Sequence, residues 1–178
     1  MKRGMKAKHE IDAMAFINLA IEYKSAADQL YALRHDRPGM GSEPVYFLYF
    51  HSIELALKGH LRTLGWPTPR LKEKMRHQVN KLLTECNLPL TRDTEIHRSI
   101  RSVLSLLECA NSSETLRYFD LKSRGLPDLD WTREVADVVL RLARTYVVGL
   151  DDPHAEVPGV AMKLDMIVSK PVRRSDRA

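Results

Sequence analysis

Phe50-His51-Ser52-Ile53-Glu54-Leu55-Ala56-Leu57-Lys58-Gly59-His60-Leu61 decides how this chain folds. Its apolar residues recur every three or four positions, the period of a helix rather than of a strand. With about 100° per residue and Val45 as zero, Glu54, Lys58 and His51 fall at roughly 180°, 220° and 240°. Phe50, Ile53, Leu57 and Leu61 flank them on one side, Leu48 and Leu55 on the other. Ser52, Gly59, His60 and Thr63 lie opposite, on the arc expected to face water. Three ionisable groups are therefore expected to point inward, which is costly unless they are paired or put to use.

Outward from this helix the sequence is punctuated by helix signals. Ser42-Glu43-Pro44 opens it with a capping residue, an acid and an early proline, and Gly65-Trp66-Pro67-Thr68-Pro69 stops it after Leu64. A preceding helix is expected from about Glu10 to Arg34, on the apolar stripe Phe16, Leu19, Tyr23, Ala27, Leu30, and Pro38-Gly39 follows it. A third helix is expected over about Arg70 to Cys86, with Leu71, Met75, Val79, Leu82 and Cys86 on one stripe. A fourth is expected from Arg92 to Ala110 and a fifth from about Asp130 to Val148, with the irregular piece Leu116-Arg117-Tyr118-Phe119-Asp120 between them. No alternating run of strand length competes. The expected fold is all-α, an antiparallel bundle of about five helices with a short C-terminal extension.

Residues 1–9 read as a basic N-terminal arm, 10–150 as the bundle and 151–178 as an extension with a basic tail. The stretch 160–168 is apolar enough for a short helix or strand. A chain of 178 residues suffices for one domain with a core of its own. The net charge of +5 suits an anionic partner, but much of the excess sits in the two tails, which also read as simply solvated. Cys86 and Cys109 lie among apolar helical residues and are expected as buried free thiols in a reducing cytosol. The basic start is not followed by an unbroken apolar stretch, so no signal peptide is expected, and no run reaches membrane-spanning length. A cytoplasmic location is the resulting expectation.

Glu54 and Lys58 have the i,i+4 order that favours an ion pair, and His51 lies one turn before Glu54. Such a trio either holds the bundle in register or lines a polar pocket containing an imidazole, the side chain that changes charge near neutral pH. It also reads as a water-facing contact surface. Arg76-His77-Gln78 adds a second histidine to a helix that carries Lys72, Lys74 and Lys81. A charged helix of this kind commonly presents a solvated face. Arg117 and Tyr118 offer a forked phosphate donor and a stacking ring, or plug a gap between helices. Glycine-rich phosphate loops, His-Glu-x-x-His and Cys-x-x-Cys are absent from the sequence. Glu54 with His51 and His77 has metal-ligand chemistry, but the charge of Lys58 opposes a cation, so neither metal nor cofactor is expected.

The run Phe47-Leu48-Tyr49-Phe50-His51-Ser52-Ile53-Glu54-Leu55-Ala56-Leu57-Lys58, followed by Arg76-His77-Gln78-Val79-Asn80-Lys81-Leu82-Leu83, resembles the HEPN superfamily of helical bundles. It is similar to a bacterial branch with a His-Ser-x-Glu-Leu-x-Leu-Lys helix and a Gly-His-Asp-Leu-like element. His77 matches that element's histidine; Arg76 and Gln78 stand where it has glycine and aspartate. Leu116-Arg117-Tyr118 resembles a further element of the branch. The resemblance covers roughly 13–150. It implies a four- or five-helix bundle, often dimeric, tied to nucleotide binding, RNA cleavage or toxin–antitoxin and defence systems, with an antitoxin or nucleotidyltransferase as partner. His51, Glu54, Lys58, His77, Arg117 and Tyr118 are then the expected contacts to a nucleotide or RNA phosphate. Many members are metal-independent ribonucleases whose arginine holds the scissile phosphate while a histidine transfers the proton. Arg92 and His97 have the required spacing, at a helix start that the resemblance implies would lie at a dimer interface. Arg3 with His9 and Arg70 with His77 have it too. About two such pairs are expected by chance from this composition, so spacing alone does not single out Arg92 and His97. A non-catalytic interaction module is the third expectation.

Overall fold

The computed structural model describes residues 11–36, 42–88, 94–112, 116 and 125–149. These residues are helical apart from turns and connecting segments, with no strand among them. The helices are α1 (Ala13–Asp36), α2 (Glu43–Thr63), α3 (Thr68–Arg70, continued by a wide π turn at Leu71–Met75), α4 (Val79–Cys86), α5 (Thr94–Ser112) and α6 (Leu129–Val148). Among the described residues no helix is long and apolar enough to cross a membrane. Both tails, the 160–168 stretch, Arg92, Arg117 and Tyr118 lie outside the described residues.

α2 is the central helix: it packs against α1, α4, α5 and α6. This corrects the expected water-facing arc. Ser52, Gly59 and His60 are buried, and every residue from Ser52 to Leu61 is shielded from solvent. Small size, rather than polarity, explains Ser52 and Gly59, while Thr63 is exposed as expected. The Ser52 hydroxyl donates to the Ala20 carbonyl at 2.7 Å, satisfying a polar group inside the α1–α2 contact. A Cβ added at Gly59 would stand 3.1 Å from Ile17 Cδ1 and 3.2 Å from the Ala13 carbonyl oxygen, so glycine sets how closely the two helices approach. Ile17 and Ala20 take core positions on α1, whereas Leu19, expected in the stripe, is exposed.

A polar network ties three helices together. Asp28 Oδ1 accepts from the Tyr49 hydroxyl at 2.7 Å and from Arg133 Nε at 3.1 Å, while Oδ2 accepts from Lys24 Nζ at 2.8 Å. Burial pushes the Asp28 carboxyl up, but these donors and the Lys24 charge bring it below its ordinary value.

The helix ends follow local chemistry. Gly65 takes φ +83°, its N–H donates to the Arg62 carbonyl, and the Trp66 N–H donates to the Leu61 carbonyl, which closes α2 in a Schellman motif. Ser42 occupies the cap position of α2 but makes no side-chain capping bond. Asp128 does cap α6, accepting from the Trp131 N–H at 3.0 Å.

The expected third helix is divided. Leu71, Met75, Val79, Leu82 and Cys86 are all buried as the stripe requires, yet the backbone turns at Arg76–Gln78. Arg76 has φ +39°, a conformation uncommon for a side chain with a Cβ. The apolar period survives because both halves face the same core. The thiols also differ from expectation: Cys86 is buried and donates to the Leu57 carbonyl, but Cys109 is exposed on α5.

Candidate functional site

The site is built on about two turns of α2. Glu54 sits on the face turned toward His77 in the turn before α4, and residues three and four apart on a helix are neighbours, so His51 and Lys58 flank its carboxylate. Glu54 is 1% exposed. Its Oε1 accepts from Lys58 Nζ and its Oε2 from His77 Nδ1 at 2.9 Å. His51 Nδ1 stands 3.6 Å from the same Oε2, within reach of its charge. Burial pushes the Glu54 carboxyl up, but the His51 imidazole, the Lys58 charge and the hydrogen bonds from Lys58 and His77 lower it to about 2. Glu54 is therefore an anion and can only accept, so His77 Nδ1 carries a hydrogen and donates.

His77 reaches Glu54 because the chain breaks where it does. It follows Arg76 in the turn between α3 and α4, where no helical backbone constrains the ring. Its side chain is half exposed, at 49%, whereas Lys58 is at 10%. The cluster thus runs from a dry ion pair to a solvent-facing imidazole. His51 is held on two sides: the Phe47 ring stacks on it at 5.9 Å with 6° between planes, and Tyr23 meets it edge-on at 4.5 Å. Each imidazole turns Nδ1 toward Glu54. Neither Nε2 has a hydrogen bond to a described residue.

The structure brings four expected residues together, His51, Glu54, Lys58 and His77. His97 has a different partner: its Nε2 accepts from Arg101 Nε at 2.9 Å, and Arg101 also donates to the Thr84 hydroxyl. Burial, with the Arg101 charge, lowers the His97 imidazole below its ordinary value. Arg117 and Tyr118 fall outside the described residues, but their neighbour Leu116 is buried. Among the described residues no three His, Cys, Asp or Glu side chains are placed to hold a metal ion.

Sequence reading singled out neither Tyr23 nor Phe47 as a clamp on His51. Their sequence signal was that Tyr23 lies on the α1 stripe and Phe47 one helical turn before His51. It also placed on the water-facing arc His60, whose ring packs beside Tyr146 at 4.8 Å, whose Nε2 meets the Cys86 carbonyl at 3.1 Å and whose Nδ1 is buried without a partner among the described residues. Compared with known proteins, the chain matches no family model, no curated protein and no solved structure.

Proposed function

We propose that this chain is a HEPN-like antiparallel helical bundle that holds a phosphate of a nucleotide or RNA at the cluster of His51, Glu54, Lys58 and His77. The observation that supports it is the sharing of one buried carboxylate by two imidazoles through Nδ1. This fixes both rings and directs their Nε2 edges away from Glu54, where each donates to an anion when the ring carries its second proton. Lys58 acts indirectly. Its ammonium neutralises Glu54, so the buried carboxylate does not repel an anionic ligand. Arg117 and Tyr118 supply further phosphate and stacking contacts in this reading. A homodimer, and an antitoxin or nucleotidyltransferase as partner, belong to the same proposal through the family resemblance.

Titration of the purified protein with UMP and with a short RNA tests it. His77→Ala removes one donor to Glu54 and lowers the melting temperature modestly, while phosphate affinity falls roughly tenfold or more, the scale of one charged hydrogen bond. Unchanged affinity in both His77→Ala and His51→Ala, with a lower melting temperature in the latter, reduces the cluster to a packing device. Cleavage of total RNA in EDTA that is lost in His97→Ala replaces binding by the ribonuclease alternative.

A further inference from the structure

The surface that leads up to His77 is basic, outward-facing and ends on a stacked aromatic. Between Arg62 and Lys81 the chain carries six cations and a single carboxylate, Glu73. The burial pattern decides where they point. Leu71 and Met75 both turn into the core from the π segment, so Lys72, Glu73 and Lys74 between them are exposed, and Arg76 and His77 after them are exposed too. Lys72, Lys74 and Arg76 form no ion pair among the described residues, whereas the cations near the α1–α6 contact, Lys24, Arg133 and Arg141, are matched by Asp28 and Asp137. At the far end the Arg70 guanidinium lies 3.5 Å over the Trp66 indole. Trp66 is half-buried, and Arg70 itself is exposed.

We propose that this strip, from Trp66 and Arg70 through Lys72, Lys74 and Arg76 to His77, is a track for single-stranded RNA, which makes the ligand of the phosphate site a strand rather than a free mononucleotide. The inference rests on the reading of the cluster as a phosphate site and names its substrate class. Single strands are held by cations along the backbone and by planar groups on which bases stack, and a guanidinium 3.5 Å over an indole offers such a platform. A mononucleotide uses the imidazole end alone and has no contact for Lys72 or Lys74.

The test compares UMP with a fluorescein-labelled oligouridine of about twelve nucleotides, a length that fits the usual single-strand site. Lys72→Gln/Lys74→Gln alters two exposed side chains. It is expected to weaken oligouridine binding by roughly tenfold at low salt and to reduce the slope of log K against log salt by about 1.4, two single-strand phosphate contacts. UMP binding stays at the wild-type value. Arg70→Ala weakens oligouridine and not UMP. Wild-type affinity and slope in the double variant overturn the track. If instead His77→Ala leaves UMP binding intact while the lysine variant still weakens oligouridine, the phosphate-site reading has failed and the track stands without it. Lysine-dependent binding to phosphatidylserine vesicles with no binding to oligouridine overturns the track in favour of a lipid surface.

Discussion

His77 binds Glu54 across an interruption of its own helix: Nδ1 lies 2.9 Å from Oε2, and the ring directly follows Arg76 at φ +39°. The contact joins residues 23 positions apart on elements that pack together through apolar side chains. Glu54 is thus the junction of the cluster, and its removal has the most informative consequences.

Glu54→Leu leaves the Lys58 ammonium buried without its counter-charge. Breaking one side of a buried pair costs about 3–5 kcal/mol, whereas replacing both partners by apolar groups of similar volume is close to neutral. Urea denaturation is expected to show that loss for Glu54→Leu and recovery of most of it in Glu54→Leu/Lys58→Leu. A loss below about 1 kcal/mol in the single variant contradicts a buried pair of this kind.

The same carboxylate sets acid sensitivity. Above the ordinary value of 4.5 it is ionised in folded and unfolded chains alike, and its contribution is fully present. As pH falls through 4.5 the unfolded chain takes the proton first; below the folded value of about 2 the contribution is gone. By linkage the difference is worth about 3 kcal/mol. Glu54→Gln is expected to flatten the stability profile across that window, measured by denaturant melts at several pH values, and an unaltered slope refutes the assignment.

His60 acts in a different window. Burial lowers its imidazole, only partly offset by the bond to the Cys86 carbonyl. Below its ordinary value of 6.5 the unfolded chain binds a proton that the folded chain resists, so stability declines as pH drops from there toward the lower folded value. His60→Gln loses packing but is expected to show a shallower decline as pH falls below 6.5. Equal slopes in both proteins exclude His60 as the source.

How much of this was legible in the sequence differs by element. The spacing of His51, Glu54 and Lys58 predicted their convergence because all three lie within two turns of one helix. The stripe of Leu71, Met75, Val79, Leu82 and Cys86 predicted five core positions correctly and still misjudged the backbone, since periodicity records which way side chains face and is blind to a turn that preserves the facing. Ser52 and Gly59 were misplaced for a related reason: hydropathy treats a small residue as indifferent, while helix packing uses its smallness. Cys109 was assigned to the core by residue type, although it lies on the outward side of α5.

Gly59 turns that lesson into a measurement. Gly59→Ala gains about 1 kcal/mol of helix propensity but crowds Ile17 and the Ala13 carbonyl, which opposes that gain. Gly59→Val adds methyl groups where no space exists and is expected to cost about 1–3 kcal/mol. A valine variant as stable as wild type, by thermal or chemical melting, shows that α1 can retreat and that the close approach is not enforced.

The turn at Arg76–Gln78 has a consequence for how this protein can change over generations. Leu71 and Met75 anchor the chain before it, and Val79, Leu82 and Cys86 anchor it afterwards. Substitutions at 76 and 78 therefore re-aim one imidazole while the inventory of buried side chains stays as it is. Drift in where that imidazole points has a two-residue target that selection for a stable core does not police.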